Sequence, residues 1–281
     1  MNKRNIIIAV VFILAVAIFF LIPKKDHTRS GGVTVVKKSS SSETQPSNQE
    51  VQKLYEEATT LKQDGEFLKA KGLYKTIVMD YPYFENIQAA QQELESLNMH
   101  ILFSNLETDS TVLHEVVSGD TLGELAKKYG TTIELIKRSN NLNNNIIRIG
   151  QRLRIWQDAF NIYVDKSQNV LLLKKDDEVI KVYDVSTGSN SSTPVGTYTI
   201  TSRLMDPVWF NKGVVLPPES PQNVLGTRWL GFNLPGYGIH GTIEPETIGQ
   251  QVTAGCVRMR NEEVEELYSI IPIGTEVVIV N

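Results

Sequence analysis

The sequence predicts a multidomain chain: an N-terminal transmembrane helix, a short α-helical region, a small β-α-α-β module, and a C-terminal mostly-β domain, sandwich or barrel-like, with one packed helix. Three observations carry this. An uncharged apolar run, Ile6 to Ile22, follows Lys3 and Arg4. Helical periodicity dominates from Val51 to Leu97, and period-2 alternation takes over from Phe160. A length of 281 residues suits several small domains. The net charge is only -4, with both signs dispersed, so there is no basic footprint and no nucleic-acid partner is expected.

Residues 1–25 read as a membrane anchor. The apolar run gives roughly 26 Å of helix, enough to cross a hydrocarbon core. A cleaved signal peptide is the competing reading. The run ends in Leu21, Ile22, Pro23, Lys24 and Lys25 with no small-x-small cleavage site, which favours an uncleaved anchor. Basic residues lie on both sides, so charge does not orient it. Residues 26–49 are Ser-, Gly- and polar-rich and read as a flexible linker reaching roughly 25–30 Å on average.

Residues 50–105 read as helices. Leu54, Ala58 and Leu61 form one apolar stripe, Gly65 breaks it, and Phe67, Ala70, Tyr74 and Ile77 form a second that Pro82 ends. A third helix is expected from about Asn86 to Leu97. "GEFLKAKGLYKTIVMDYP" resembles one tetratricopeptide unit. One unit falls short of a freestanding solenoid, which favours a spacer over a groove for a protein partner.

Residues 112–157 form the small module. Thr121 is placed to cap a helix carrying Leu122, Leu125, Ala126 and Tyr129; Gly130 stops it, and Thr132 starts a second. The pattern V-x-x-G-D-T-L, A-x-x-Y, I-x-x-x-N, I-x-x-G-Q-x-L-x-I resembles a LysM module over its whole length. That resemblance implies binding of N-acetylglucosamine-containing glycans in a groove between two loops. Carried onto this chain, the contacts are Gly119, Asp120, Thr121, Leu122, Asn144 and Ile146. Gly119 and Thr121 also serve as turn and cap.

From Phe160 the strands begin: "FNIYVD", "NVLLLKK", "EVIKVYDV", "GTYTITS" and, last, "GTEVVIV". One helix interrupts them, "NEEVEELYSII", with Asn261 as its expected cap, Glu262 and Glu263 in its first turn, and Val264, Leu267, Tyr268 and Ile271 inward. This domain holds the only cysteine, Cys256, which therefore has no intramolecular disulfide partner. It is an inert buried thiol, an intermolecular bridge or a nucleophile. Its neighbours favour the nucleophile. Gly255 clears an approach to a carbonyl, nearby backbone N–H groups suit an oxyanion, Arg258 favours a thiolate, and His240 is one of four histidines. No carboxylate stands at an orienting position.

The stretch from Phe160 to Asn281 resembles, almost end to end, the L,D-transpeptidase catalytic domain of the YkuD type. The residues carrying this are His240-Gly241-Thr242 and Thr253-Ala254-Gly255-Cys256-Val257-Arg258. The resemblance implies that Cys256 attacks, His240 is the base, and the Gly241 carbonyl orients the imidazole, with Gly255 beside the nucleophile. Arg258, Thr242, Thr253, Trp229 and Tyr237 are the candidate substrate contacts; Arg258 either binds a substrate carboxylate or pins the catalytic loop. Many relatives have Ser-His-Gly-Cys where this chain has Thr253-Ala254-Gly255-Cys256, so any contact from that second histidine is absent.

Together the resemblances imply a cell-wall transpeptidase, membrane-anchored with its catalytic part extracytoplasmic, in the periplasm or cell wall. It would join a stem tetrapeptide to an amine through a Cys256 thioester and give 3-3 cross-links. Its partners are peptidoglycan strands and stem peptides, and it needs no cofactor and no metal. L,D-carboxypeptidase action, lipoprotein-to-wall attachment and a non-catalytic wall-binding scaffold are the alternatives. Hydrogen-bond reach between the Cys256 sulfur and a His240 ring nitrogen is expected, looser without a bound ligand.

Overall fold

The computed structural model describes residues 47–211 and 213–281, so the anchor expected over 1–25 and the linker up to residue 46 lie outside the described residues. Among the described residues no helix is long and apolar enough to cross a membrane. The chain divides into two units after Leu97.

In the first unit, α1 spans Asn48–Gln63 and α2 spans Phe67–Asp80. The helix starts inside the expected linker because Ser47 and Glu50 form a reciprocal capping box, with Ser47 N donating to Glu50 Oε2 at 2.7 Å. Gly65 turns the chain at φ 80°. Ala58, Ala70, Tyr74 and Ile77 close the core, and the Tyr55 and Tyr74 rings meet edge-on with centroids 5.6 Å apart. Ala90 and Leu94 of α3 (Ile87–Phe103) join them. That helix runs past the expected end at Leu97.

In the second unit, the β-α-α-β module is as expected: β1 (Thr111–Glu115), α4 (Leu122–Tyr129), α5 (Ile133–Ser139) and β2 (Arg152–Trp156), with β1 and β2 antiparallel. Thr121 and Thr132 cap the helices by accepting from Glu124 N at 3.2 Å and Leu135 N at 2.9 Å. Buried Arg154 donates to the carbonyls of Ile101, Leu102 and Ser104, completing orphan acceptors at a helix end. Burial lowers its pKa to about 10.

The C-terminal domain is built on β3 (Phe160–Asp165), β4 (Val170–Lys175), β5 (Glu178–Asp184), β6 (Thr187–Gly188), β7 (Gly196–Met205), β8 (Trp209–Asn211), β9 (Val214–Leu216), β10 (Arg228–Phe232), β11 (Gly238–His240), β12 (Gln251–Thr253), β13 (Val257–Arg258), α6 (Asn261–Ile270) and β14 (Glu276–Val280). Eight strands form one sheet in the order β13-β11-β10-β7-β14-β3-β4-β5. The expectation of a mostly-β domain with one packed helix holds. The strand order is continuous because the ten-residue β7 pairs with β14 through its first half and with β10 through its second. Val264, Leu267 and Ile270 of α6 pack with Ile162, Leu171, Ile239 and Val257 of the sheet.

The small module is seated on this domain. Leu135 of α5 lies in the same core cluster as the sheet, Thr132 Oγ1 donates to the Ser269 carbonyl, and Arg138 Nη1 donates to Ser269 Oγ at 2.9 Å. Arg203 reaches Glu134 at 3.1 Å. A cleft of about 1100 Å³ lies between α5 and α6; Cys256 is not among its lining residues.

Candidate active site

The site forms at the end of the sheet where β11 and β13 pair in parallel, Ile239 opposite Val257 and His240 opposite Arg258. His240 ends β11 and Cys256 immediately precedes β13, so residues sixteen apart in sequence lie on neighbouring strands. The hydrogen bond from Met259 N to His240 O, 2.8 Å, continues the ladder past the pair.

The turn bearing Cys256 is closed by Thr253, whose Oγ1 donates to the Cys256 carbonyl at 2.6 Å and accepts from Gly255 N at 3.1 Å. Gly255 has φ 133°, and a Cβ there would sit 2.7 Å from the Tyr237 ring and 3.3 Å from the Ser192 carbonyl. Both the left-handed backbone and the close approach require glycine. The Gly255 N–H is thus engaged by Thr253 rather than open to an oxyanion.

His240 is only 4% exposed. Its Nδ1 donates to the Gly241 carbonyl at 2.6 Å, which leaves Nε2 as the acceptor. The Trp229 ring stacks on it at 6.1 Å, in line with the direct pairing of Trp229 and His240 between β10 and β11. Burial depresses the imidazole pKa from 6.5 to about 4; the Gly241 carbonyl opposes this and the Arg258 charge adds to it.

The thiol corrects one expectation. Burial raises its pKa, outweighing a backbone hydrogen bond from Gly238 and the attraction of Arg258. With the imidazole also neutral, the resting pair is thiol and imidazole, not the thiolate expected from Arg258. Nor is the sulfur hydrogen-bonded to the ring: Sγ donates to the Gly236 carbonyl at 3.4 Å. A neutral S–H seeks an acceptor, and the carbonyl on the β10–β11 turn supplies one.

The other candidates separate by burial. Arg258 is 7% exposed, and its Nη1 meets Glu244 Oε2 at 2.8 Å and Thr247 Oγ1 at 3.0 Å. It therefore pins the 244–247 turn rather than pointing free. Thr242 and Thr253 are buried, with hydroxyls engaged inside the fold. Trp229 and Tyr237 are half-buried and flank His240 and Gly255. In the small module, Gly119 and Ile146 are exposed, while Leu122 is 2% exposed and belongs to the core, so it offers no surface to a glycan. Its position as the first residue of α4 turns it inward. Asp120 accepts from Val117 N and pairs with His114 Nε2, each at 2.8 Å; Asn144 Oδ1 accepts from Ile146 N at 2.9 Å.

Sequence reasoning missed what Asn261 does. It was expected to cap α6, but the cap position is Arg260, which makes no side-chain capping bond, and Asn261 is the first helical residue. Its side chain instead reaches the His240 loop, with Nδ2 donating to the Thr242 carbonyl at 2.9 Å. The sequence trace of this contact is a pair of glycines, Gly226 and Gly241, at each of which a Cβ would come within 2.2 Å of Asn261 Oδ1.

Comparison with known proteins agrees with this architecture. Residues 160–279 match the model of the L,D-transpeptidase catalytic domain, and residues 114–156 match that of the LysM domain. The chain is 40% identical over 124 residues to "Putative L,D-transpeptidase YqjB" of Bacillus subtilis, covering 42% of this chain and 69% of that protein. It is 31% identical over 174 residues to "Putative L,D-transpeptidase YkuD" of Bacillus licheniformis, covering 59% and 97%. Among solved structures, L,D-transpeptidase 3 from Mycobacterium tuberculosis in complex with a faropenem-derived adduct is similar at a TM-score of 0.38 and 20% identity, over 47% of this chain and 66% of that one. At that level the kinship rests on sequence.

Proposed function

The chain belongs to the L,D-transpeptidase family, and from that premise we propose that it is a cysteine acyltransferase acting on peptidoglycan outside the membrane. The observation that carries the chemistry is the tautomer of His240. With Nδ1–H held by the Gly241 carbonyl, Nε2 is a buried, neutral base on the strand beside Cys256.

The thiol turns from Gly236 toward Nε2 when a stem tetrapeptide binds. Its proton passes to Nε2 as the sulfur attacks the carbonyl preceding the terminal D-alanine, since no standing thiolate exists at rest. The Cys256 N–H is a donor for the developing oxyanion. The peptide C–N bond breaks, the imidazolium gives its proton to the departing amine, and a thioester remains. An amine of a second stem then attacks the thioester. Nε2 takes the amine proton and returns it to the leaving sulfur, so the enzyme is restored and one peptide bond replaces another. The product is a 3-3 cross-link. In this reading the LysM module, which meets α6 through Thr132 and Arg138, binds the glycan strand.

The test is to incubate the protein with disaccharide-tetrapeptide fragments and weigh the products. A dimer lacking one D-alanine supports transfer. Tripeptide monomer alone would replace this reading with hydrolysis, and unchanged substrate would leave a wall-binding scaffold.

A further inference from the structure

The catalytic histidine of this fold is oriented by a backbone carbonyl, and something must hold that carbonyl in place. Gly241 C=O and Thr242 N–H belong to one peptide group. Its oxygen end accepts from His240 Nδ1 at 2.6 Å. Its nitrogen end donates to Asn261 Oδ1 at 3.0 Å. Asn261 Oδ1 also accepts from Thr227 N at 3.2 Å, and Nδ2 donates to the Thr242 carbonyl at 2.9 Å. Two backbone N–H groups facing one atom fix that atom as oxygen, so the amide orientation follows from the backbone itself.

We propose that Asn261 is a positioning residue for the transfer reaction, acting on His240 through the Gly241–Thr242 peptide, whose carbonyl stands where a carboxylate does in other catalytic triads. This rests on the reading of His240 as the base. Three features of the structure converge on it. Asn261 brackets Thr242 from both sides, N–H and carbonyl, so the peptide plane cannot rotate without breaking a bond to α6. The chain is shaped around the contact: a Cβ at Gly241 would stand 2.2 Å from Asn261 Oδ1 and 3.1 Å from Thr227 N. And a peptide whose N–H is already accepted has a more strongly polarised carbonyl, which strengthens the bond from Nδ1. The arrangement supplies orientation without a full negative charge. A carboxylate bonded directly to Nδ1, in place of the Gly241 carbonyl, would favour the imidazolium and work against a neutral base. The side chain leaves its helix-capping duty unfilled, since Arg260 occupies the cap without a side-chain bond.

The experiment compares the full chain with Asn261→Ala and Asn261→Asp, each labelled with 15N at its histidines, of which the protein has four. Two-bond proton–nitrogen correlations report which ring nitrogen of His240 carries the proton, and this needs no substrate. The tautomer therefore stands or falls separately from turnover of tetrapeptide. In the unsubstituted protein, a single Nδ1–H tautomer is expected. In Asn261→Ala, mixed tautomers are expected, with kcat lower by roughly tenfold to a hundredfold and KM within about twofold. Asn261→Asp keeps both N–H acceptances and drops only the donated bond. It is expected to keep the Nδ1–H tautomer and recover most of the lost kcat. A folded Asn261→Ala that keeps the single tautomer and its kcat overturns the proposal. If that variant does not fold, Asn261→Ser, whose shorter side chain keeps a polar group at the helix start, replaces it: mixed tautomers with a lowered kcat support the proposal, and a single Nδ1–H tautomer with kcat unchanged overturns it.

Discussion

Lowering the pH from 7 to 4 should destabilise this protein through the buried imidazole of His240. His240 is 4% exposed, and burial takes its pKa from 6.5 to about 4. As pH falls through 6.5 the unfolded chain binds a proton at this position and the folded chain does not. Stability is therefore lost progressively down to about pH 4, and below that both states are protonated and the loss stops. The size is about 3 kcal/mol, a large part of the stability of an ordinary domain. Carboxylates contribute in both directions. Asp120 is held low by its hydrogen bonds to Val117 and His114, whereas Glu263 is raised by burial. Subtraction isolates the histidine. Urea midpoints are to be measured at pH 7, 5.5 and 4 for the protein and for His240→Gln, and the difference between the two should shrink by about 3 kcal/mol from pH 7 to pH 4. A difference that stays constant across that range would refute the buried, neutral imidazole. The same state sets activity: the acid limb of kcat/KM should fall near pH 4, and a limb near 6.5 would mean the base is solvated.

Four further outcomes follow from particular contacts. Gly255→Ala places a Cβ 2.7 Å from the Tyr237 ring at φ 133°; it should cost about 1–3 kcal/mol by thermal melting and lower kcat, because the Cys256 turn must move. Arg258→Met removes the bonds to Glu244 and Thr247; since Glu244 is largely exposed and can be hydrated again, about 1–2 kcal/mol is expected, with cleavage by a protease appearing in the 244–250 loop. Leu122→Ala should destabilise the LysM module by about 2–5 kcal/mol. Ile146→Ala, at a side chain 72% exposed, should leave stability within about 0.5 kcal/mol while weakening retention on insoluble peptidoglycan. Retention of Ile146→Ala equal to that of the unsubstituted protein would remove Ile146 from the glycan surface.

Local chemistry was legible in the sequence, and long-range chemistry was not. The caps at Thr121 and Thr132 and the stop at Gly130 depend on neighbours within a few residues, and the structure has each of them. The tetratricopeptide-like stripe of Ala70, Tyr74 and Ile77 depends only on helical period, and it is buried. The proximity of His240 and Cys256 came from motif resemblance, and parallel pairing of β11 with β13 accounts for it. Ionisation could not be read this way, because the burial that neutralises both groups arises from strands distant in sequence. Asn261 shows the limit most clearly. Asparagine at a helix start is a sound capping signal, yet tertiary contact with Thr227 and Thr242 takes its side chain elsewhere. Leu122 failed for a related reason: a loop motif suggested surface, while its first-turn position in α4 turned it into the module's core.

The most direct measurement is the mass of the intact protein, trapped in acid within seconds of mixing with a tetrapeptide stem that has no acceptor amine. The expected result is a shift equal to the stem minus D-alanine, mapped to the peptide holding Cys256, released by hydroxylamine and missing from Cys256→Ala. Released D-alanine with no adduct at Cys256, or an adduct that survives in Cys256→Ala, would contradict transfer through that sulfur.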